Sequence, residues 1–142
     1  MAKFSAGIIV TRSFNANRKF LVLRAYSTWD FPKGEINPGE SDLDAAKRET
    51  QEEAGISDLE FLWGKITFTT PPYGRNKKVA RFFVAESPYE DVKLGISQEL
   101  NRPEHHEWRW VSESEARKLM PSHLRAALEW AISVVSLSLI HI

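Results

Sequence analysis

Apolar residues in this chain fall into short runs separated by polar punctuation, and the runs change period along the way. Phe4 to Val10 is an apolar run of strand length, Asn15 to Arg18 is polar and turn-like, and Phe20-Leu21-Val22-Leu23 follows, which predicts a β-hairpin. Trp29-Asp30-Phe31-Pro32 is expected to be extended, because a residue before proline avoids the helical region. Residues 33–40 carry Gly34, Pro38 and Gly39 and read as a loop. The period then becomes helical. Ser41 is a good N-cap, Asp42 and Asp44 suit the positive end of the first turn, and Gly55 is placed as the stop. Leu43, Ala46, Thr50 and Ala54 recur on one side, which is expected to face a core.

Residues 59–70 and 78–85 predict two further strands, joined by a basic loop from Pro71 to Lys77. Glu107-Trp108-Arg109-Trp110-Val111 alternates as a strand does. Ser112 opens a short helix that Pro121 ends, and Ser122 opens a last helix running to about Val135. Interleaved strands and helices predict an α/β fold. We read residues 1–135 as one domain and 136–142 as a C-terminal tail.

Composition narrows the partners. Lys+Arg and Asp+Glu are equal at 19 each, so bulk attraction to nucleic acid is not expected and any anion site must be local. The absence of Cys excludes disulfides and thiolate zinc sites. The N-terminus has no signal-peptide layout, and the longest apolar run, 132–140, is too short to span a bilayer. The expectation is a cytoplasmic protein with no membrane partner. Five Trp and eight Phe supply apolar surface for a core, and Trp29, Trp63, Trp108 and Trp110 are expected there.

The predicted helix raises a chemical question. At roughly 100° per residue, Glu49, Glu52 and Glu53 fall within one arc, about a third of a turn from the apolar side. Acidic helix faces are ordinarily just solvated. Here three carboxylates in one arc repel unless a cation intervenes, and hard divalent cations such as Mg²⁺ favour oxygen ligands. Arg48, one turn before Glu52, is placed to pair with a neighbouring carboxylate and fix its direction.

The surrounding residues sharpen this. Gly34, Glu40, Arg48-Glu49, Glu52-Glu53, Gly55 and Ile56 match G-x5-E-x7-R-E-U-x-E-E-x-G-U, where U is bulky and apolar, and only Thr50 departs from it. The stretch resembles the Nudix box. That resemblance implies a mixed β-sheet sandwiched between helices, an α/β/α sandwich. It implies a hydrolase acting on a nucleoside diphosphate linked to another group. It also implies Mg²⁺ as cofactor, with Mn²⁺ able to substitute, and Glu49, Glu52 and Glu53 as metal ligands, one of them doubling as base. Glu40 and the Gly34 carbonyl would lie beside the metals.

Outside the box, R-E-T-Q-E-E-A-G-I, R-N-K-K-V-A-R-F-F-V-A-E at 75–86 and E-H-H-E-W-R-W-V at 104–111 resemble the asymmetric diadenosine tetraphosphate hydrolases of that superfamily. This resemblance implies cleavage of the polyphosphate chain by water to give ATP and AMP. It places Phe82 as an adenine-stacking aromatic and Glu104 as a fourth carboxylate reaching the metals, with Glu99 and Glu107 as its competitors. Lys33, Arg75, Lys77 and Lys78 are the candidate phosphate-binding cations. Each has a plainer reading: a strand Phe is usually core, and loop cations are usually solvated. The rival substrates are 5′-triphosphate RNA, which would make a nucleic acid a partner, and oxidised or sugar-linked nucleotides. A non-catalytic nucleotide sensor would be expected to show a damaged box, and this one is intact.

Overall fold

The computed structural model describes residues 4–97 and 101–137. Its centre is a seven-stranded mixed sheet. Strands β1 (Phe4–Phe14) and β2 (Asn17–Ala25) form the expected hairpin, its turn made by Asn15 and Ala16 at positive φ. β3 (Thr28–Asp30) returns along β2, and β4 (Lys33–Glu35) pairs antiparallel with the first residues of β1. Helix α1 (Asp42–Ala54) follows. β5 (Phe68–Thr69) and β6 (Val79–Glu86) extend the sheet, with β6 parallel to β1. A small hairpin, β7 (Ile96–Ser97) with β8 (Arg102–Pro103), precedes β9 (Glu107–Val111), which pairs with β2. Helices α2 (Glu113–Leu119) and α3 (Ser122–Leu137) close the fold.

The helix ends are set by local chemistry. Ser41 Oγ accepts from the Asp44 amide at 3.1 Å, and Gly55 takes the left-handed conformation with φ 67° as the C-cap. Ser112 and Glu115 form a reciprocal capping box on α2. Both faces of the sheet are covered. Alternate residues send Ile9, Phe20, Val22, Phe82 and Val84 toward α3, where Leu124 and Leu128 meet them. Ile8, Val10, Leu21, Leu23, Phe83 and Ala85 point toward α1 and its Ala45, Ala46 and Ala54. This is the α/β/α sandwich expected. Thr50 fits the apolar side without strain, because it is fully buried and its hydroxyl donates to the Ala46 carbonyl at 2.7 Å.

Three readings are corrected. Residues 59–70 are not one strand: Glu60 makes an isolated bridge to Glu86, Gly64 turns the chain at φ 87°, and only Phe68–Thr69 joins the sheet. The 33–40 loop contains β4, because Lys33–Glu35 meets the unpaired edge at the start of β1. Trp108 is 38% exposed rather than core. Glu99 and residues 138–142, most of the predicted tail, lie outside the described residues.

Candidate active site

A cleft of about 980 Å³ opens at one end of the sheet, where β1 and β6 begin and β2 ends. Its acidic wall comes from α1 (Arg48, Glu49, Glu52, Glu53), and Glu104 and His105 reach it from the segment before β9. Asp30, Lys33, Gly34, Tyr73 and Lys78 also line it.

Arg48 organises the acids. Its guanidinium donates to Glu40 at 2.8 and 3.0 Å, to Glu49 at 2.7 Å and to the Glu35 carbonyl at 2.9 Å, and it pairs with Glu52 at 3.3 Å. The fork on Glu40 holds that carboxyl well below its ordinary value, at about 2. Glu40 also accepts from the Asn37 amide, so loop and helix are tied through this pair. Glu40 does not line the cleft, and its role is to position Arg48.

The three helix glutamates differ. The Glu52 side chain is 58% exposed. Glu49 is mostly covered, and burial raises its pKa although Arg48 opposes the shift. Glu53 is the most perturbed: burial, then a hydrogen bond with Glu104 and its charge, push it up to about 10. Glu53 therefore favours its protonated form at neutral pH, hydrogen-bonded to Glu104. Glu53 also accepts from the Lys33 amide at 3.1 Å. Ala45, one turn before Glu49, is fully buried, and the acidic face is open only at Glu52.

Gly34 is fixed by this arrangement, since a Cβ there would overlap the Glu49 carboxylate. Lys33 Nζ donates to Asp30 at 2.7 Å. Burial disfavours its charge, but the Asp30 contact outweighs that and raises its pKa. His105 is buried with Nδ1 3.9 Å from the Glu104 carboxylate, and burial lowers its pKa. Ligand atoms of Glu53, Glu104 and His105 lie within 4.8 Å of one another.

The structure thus brings together Gly34, Arg48, Glu49, Glu52, Glu53, Glu104, Lys33 and Lys78. It does not bring in Phe82, Arg75 or Lys77. Phe82 is fully buried, edge-on to Phe31 at 5.7 Å, and presents no ring face to a ligand. Reading it as a stacking platform assumed that one face of β6 is open, but α1 and α3 cover both. Arg75 and Lys77 stand exposed at the tip of a turn closed by the Tyr73–Lys78 pair, and only Lys78 at its base faces the cleft. Glu107 is taken up by Arg24 at 2.6 Å and Arg109 at 2.7 Å.

Sequence reasoning missed Tyr73. It lines the cleft and stacks on His123 of α3 with ring centroids 4.1 Å apart. Burial raises its pKa, against the charge of Lys33. Tyr73 sits within the predicted basic loop, so its aromatic character was visible, but its pairing with a helix 50 residues onward was not.

A sandwiched mixed sheet whose one end carries an arginine-organised carboxylate cluster has the layout of a hydrolase. The comparisons agree. Residues 1–131 match the NUDIX domain, and the chain belongs to the Nudix hydrolase family. It is 35% identical over 130 residues to the bis(5′-nucleosyl)-tetraphosphatase [asymmetrical] of Rattus norvegicus, covering 84% of this chain and 85% of that one. It is 30% identical over 125 residues to the RNA pyrophosphohydrolase of Erythrobacter litoralis (strain HTCC2594), covering 74% of this chain and 76% of the relative. Among solved structures, a C. elegans Ap4A hydrolase binary complex superposes with a TM-score of 0.78 at 25% identity, over 99% of this chain and all of that one. No helix among the described residues is long and apolar enough to cross a membrane.

Proposed function

We propose that this protein hydrolyses dinucleoside polyphosphates, diadenosine tetraphosphate foremost, to ATP and AMP with Mg²⁺ as cofactor. One observation carries the reading: acids and cations line a single cleft, with Glu49, Glu52, Glu53 and Glu104 accompanied by Lys33 and Lys78, and Tyr73 supplies an aromatic face beside them. Similarity to asymmetrical tetraphosphatases over most of the chain supports the same substrate class.

The residues present fit a divalent cation. Burial and the adjacent Glu104 carboxylate keep Glu53 protonated, and a hard cation would take that proton's place. Glu49, Glu52, Glu53, Glu104 and the Gly34 carbonyl are the oxygen donors that would hold it. When bound, divalent ions supply charge neutralisation of the phosphates and acidification of water. The chain's own groups do the rest. Arg48 fixes the directions of Glu49 and Glu52, and Lys33 and Lys78 offset phosphate charge. Glu104 is the base candidate, because its side chain remains 54% exposed toward the incoming water. Tyr73 stacks on an adenine.

Initial rates on diadenosine tetraphosphate, 5′-triphosphate RNA, ADP-ribose and 8-oxo-dGTP, each with Mg²⁺, Mn²⁺ or chelator, test this. The expected result is the highest kcat/KM on diadenosine tetraphosphate and no turnover with chelator. A preference for triphosphate RNA would replace the substrate proposed here with that of the RNA pyrophosphohydrolase relatives.

A further inference from the structure

Beside the cleft, just outside its lining, stands a second aromatic group that the catalytic cluster does not use. Tyr26 lies in the turn between β2 and β3, next to Ala25, which lines the cleft. Its side chain is among the most exposed large apolar groups described, at 74%. Exposure alone says little, since surface tyrosines are common. What distinguishes Tyr26 is that it is exposed and yet held on several sides. Its backbone takes the left-handed region at φ 57°, which residues with a side chain rarely adopt. Its amide donates to His106 Nε2 at 2.8 Å. Its hydroxyl accepts from Arg102 at 3.1 Å. Its ring stands at 71° to the His106 ring, centroids 6.4 Å apart. The His106 amide in turn donates to the Arg24 carbonyl at 2.9 Å, which locks this segment to the end of β2.

Topology places this group opposite Tyr73. Across the cleft end of the sheet the strands run β6, β1, β4, β3, β2 and then β9, because β4 and β3 separate the start of β1 from the end of β2. Tyr73 and Lys78 stand at the β6 side, and Tyr26, His106 and Arg102 stand at the β2 and β9 side. At about 4.8 Å per strand spacing, the four spacings from β6 to β2 separate the two aromatic groups by on the order of 20 Å. The carboxylates of α1 line the cleft over β4 and β1, and Glu104 reaches them from the segment before β9. Ile96, 69% exposed and lining the cleft, pairs with Pro103, the residue after Arg102.

From this we propose that Tyr26, with Arg102, His106 and Ile96, forms a distal subsite that stacks the second nucleoside of a two-headed substrate while Tyr73 holds the first. The inference rests on the dinucleoside reading above and deepens it: the cleft selects substrates with a base at both ends of the polyphosphate. An immobilised aromatic face beside a guanidinium suits a nucleobase of any identity, because every base has a π-face and the ribose and terminal phosphate meet Arg102. The subsite is therefore expected to be tolerant of the second base.

The test compares two substrates with equal phosphate number, diadenosine tetraphosphate and adenosine 5′-tetraphosphate, on the wild-type enzyme, Tyr26→Ala and Tyr26→Phe. Tyr26→Ala is expected to lower kcat/KM for the dinucleotide by about 5-fold or more, the lower end of what one stacked base contributes. The loss should fall mainly on KM and leave adenosine 5′-tetraphosphate within twofold of wild type. Tyr26→Phe is expected to recover most of the loss, since the ring is retained. Equal losses on both substrates, or no loss on either, overturn the subsite. Because Tyr26 is exposed, its removal is expected to leave the melting temperature unchanged, and thermal melts of each variant confirm that rates are compared between folded proteins. A wild-type enzyme inactive on diadenosine tetraphosphate would instead overturn the function proposed and the subsite with it, an outcome read before any variant is made.

Discussion

Glu53→Gln isolates the proton held between Glu53 and Glu104. In the metal-free protein Glu53 titrates at about 10 instead of the ordinary 4.5, chiefly because it is buried and then because it bonds Glu104. The folded state therefore carries one proton more than the unfolded state between those values. Stability is whole below pH 4.5 and falls as pH rises toward 10, by at most about 1.4 kcal/mol per pH unit. From about pH 5.5 to 7.5 the loss is on the order of a few kcal/mol. At roughly 3–4 °C per kcal/mol for a chain of this size, that is several degrees of melting temperature. Gln keeps the shape and a donor toward Glu104 and has no proton to lose. In chelator, Glu53→Gln should melt close to wild type near pH 5.5 and several degrees above it near pH 7.5. Added Mg²⁺ should reverse the order, because only the wild type exchanges the proton for the ion. Parallel pH dependences for the two proteins in chelator would refute the account of a protonated Glu53.

Much of the site was legible because it is local. The box spans one loop and one helix, where spacing converts directly into direction, and Ser41, Gly55, Arg48 and the three glutamates stand as expected. Glu104 was legible by resemblance, and its closeness to Glu53 is consistent with that reading. What failed depends on tertiary coverage. The alternation at Phe82-Phe83 reads the same whether one face of the sheet or both are covered, and only the positions of α1 and α3 decide. Glu53 looked solvent-facing from its helix angle, but β4 and the segment at 104–105 close over it. Tyr73 and His123 meet across the sheet, and Tyr26 and His106 across the β2–β9 pair, at separations where periodicity carries no signal.

Further substitutions test the geometry. Phe82→Ala should destabilise the fold by about 3–5 kcal/mol, seen in denaturant melts, with KM unchanged for the protein that remains folded. Tyr73→Ala should do the opposite, raising KM for adenine nucleotides with little change in melting, and a reversed pair of results would restore Phe82 to the site. Gly34→Ala should abolish most turnover in the rate assay while the protein still folds, since the added methyl meets the Glu49 carboxylate. Finally, Glu104→Gln should lower kcat at least tenfold, about 1.4 kcal/mol of barrier. The reasoning is that Glu104 alone among its neighbours combines an exposed carboxylate with contact to the box: its side chain is 54% exposed and bonded to Glu53. Glu107, three residues on, points from β9 into the Arg24 and Arg109 guanidiniums, and Arg109 holds its pKa low. A carboxylate so engaged is a poor base and has no free oxygen for the cleft. Glu107→Gln should therefore leave kcat within about twofold of wild type. Raising Mg²⁺ separates two ways for Glu104 to act, since a pure ligand defect is relieved by more metal and a lost proton acceptor is not. If Glu107→Gln is the damaging change and Glu104→Gln is silent, the segment before β9 does not contribute its acid in the way its geometry indicates.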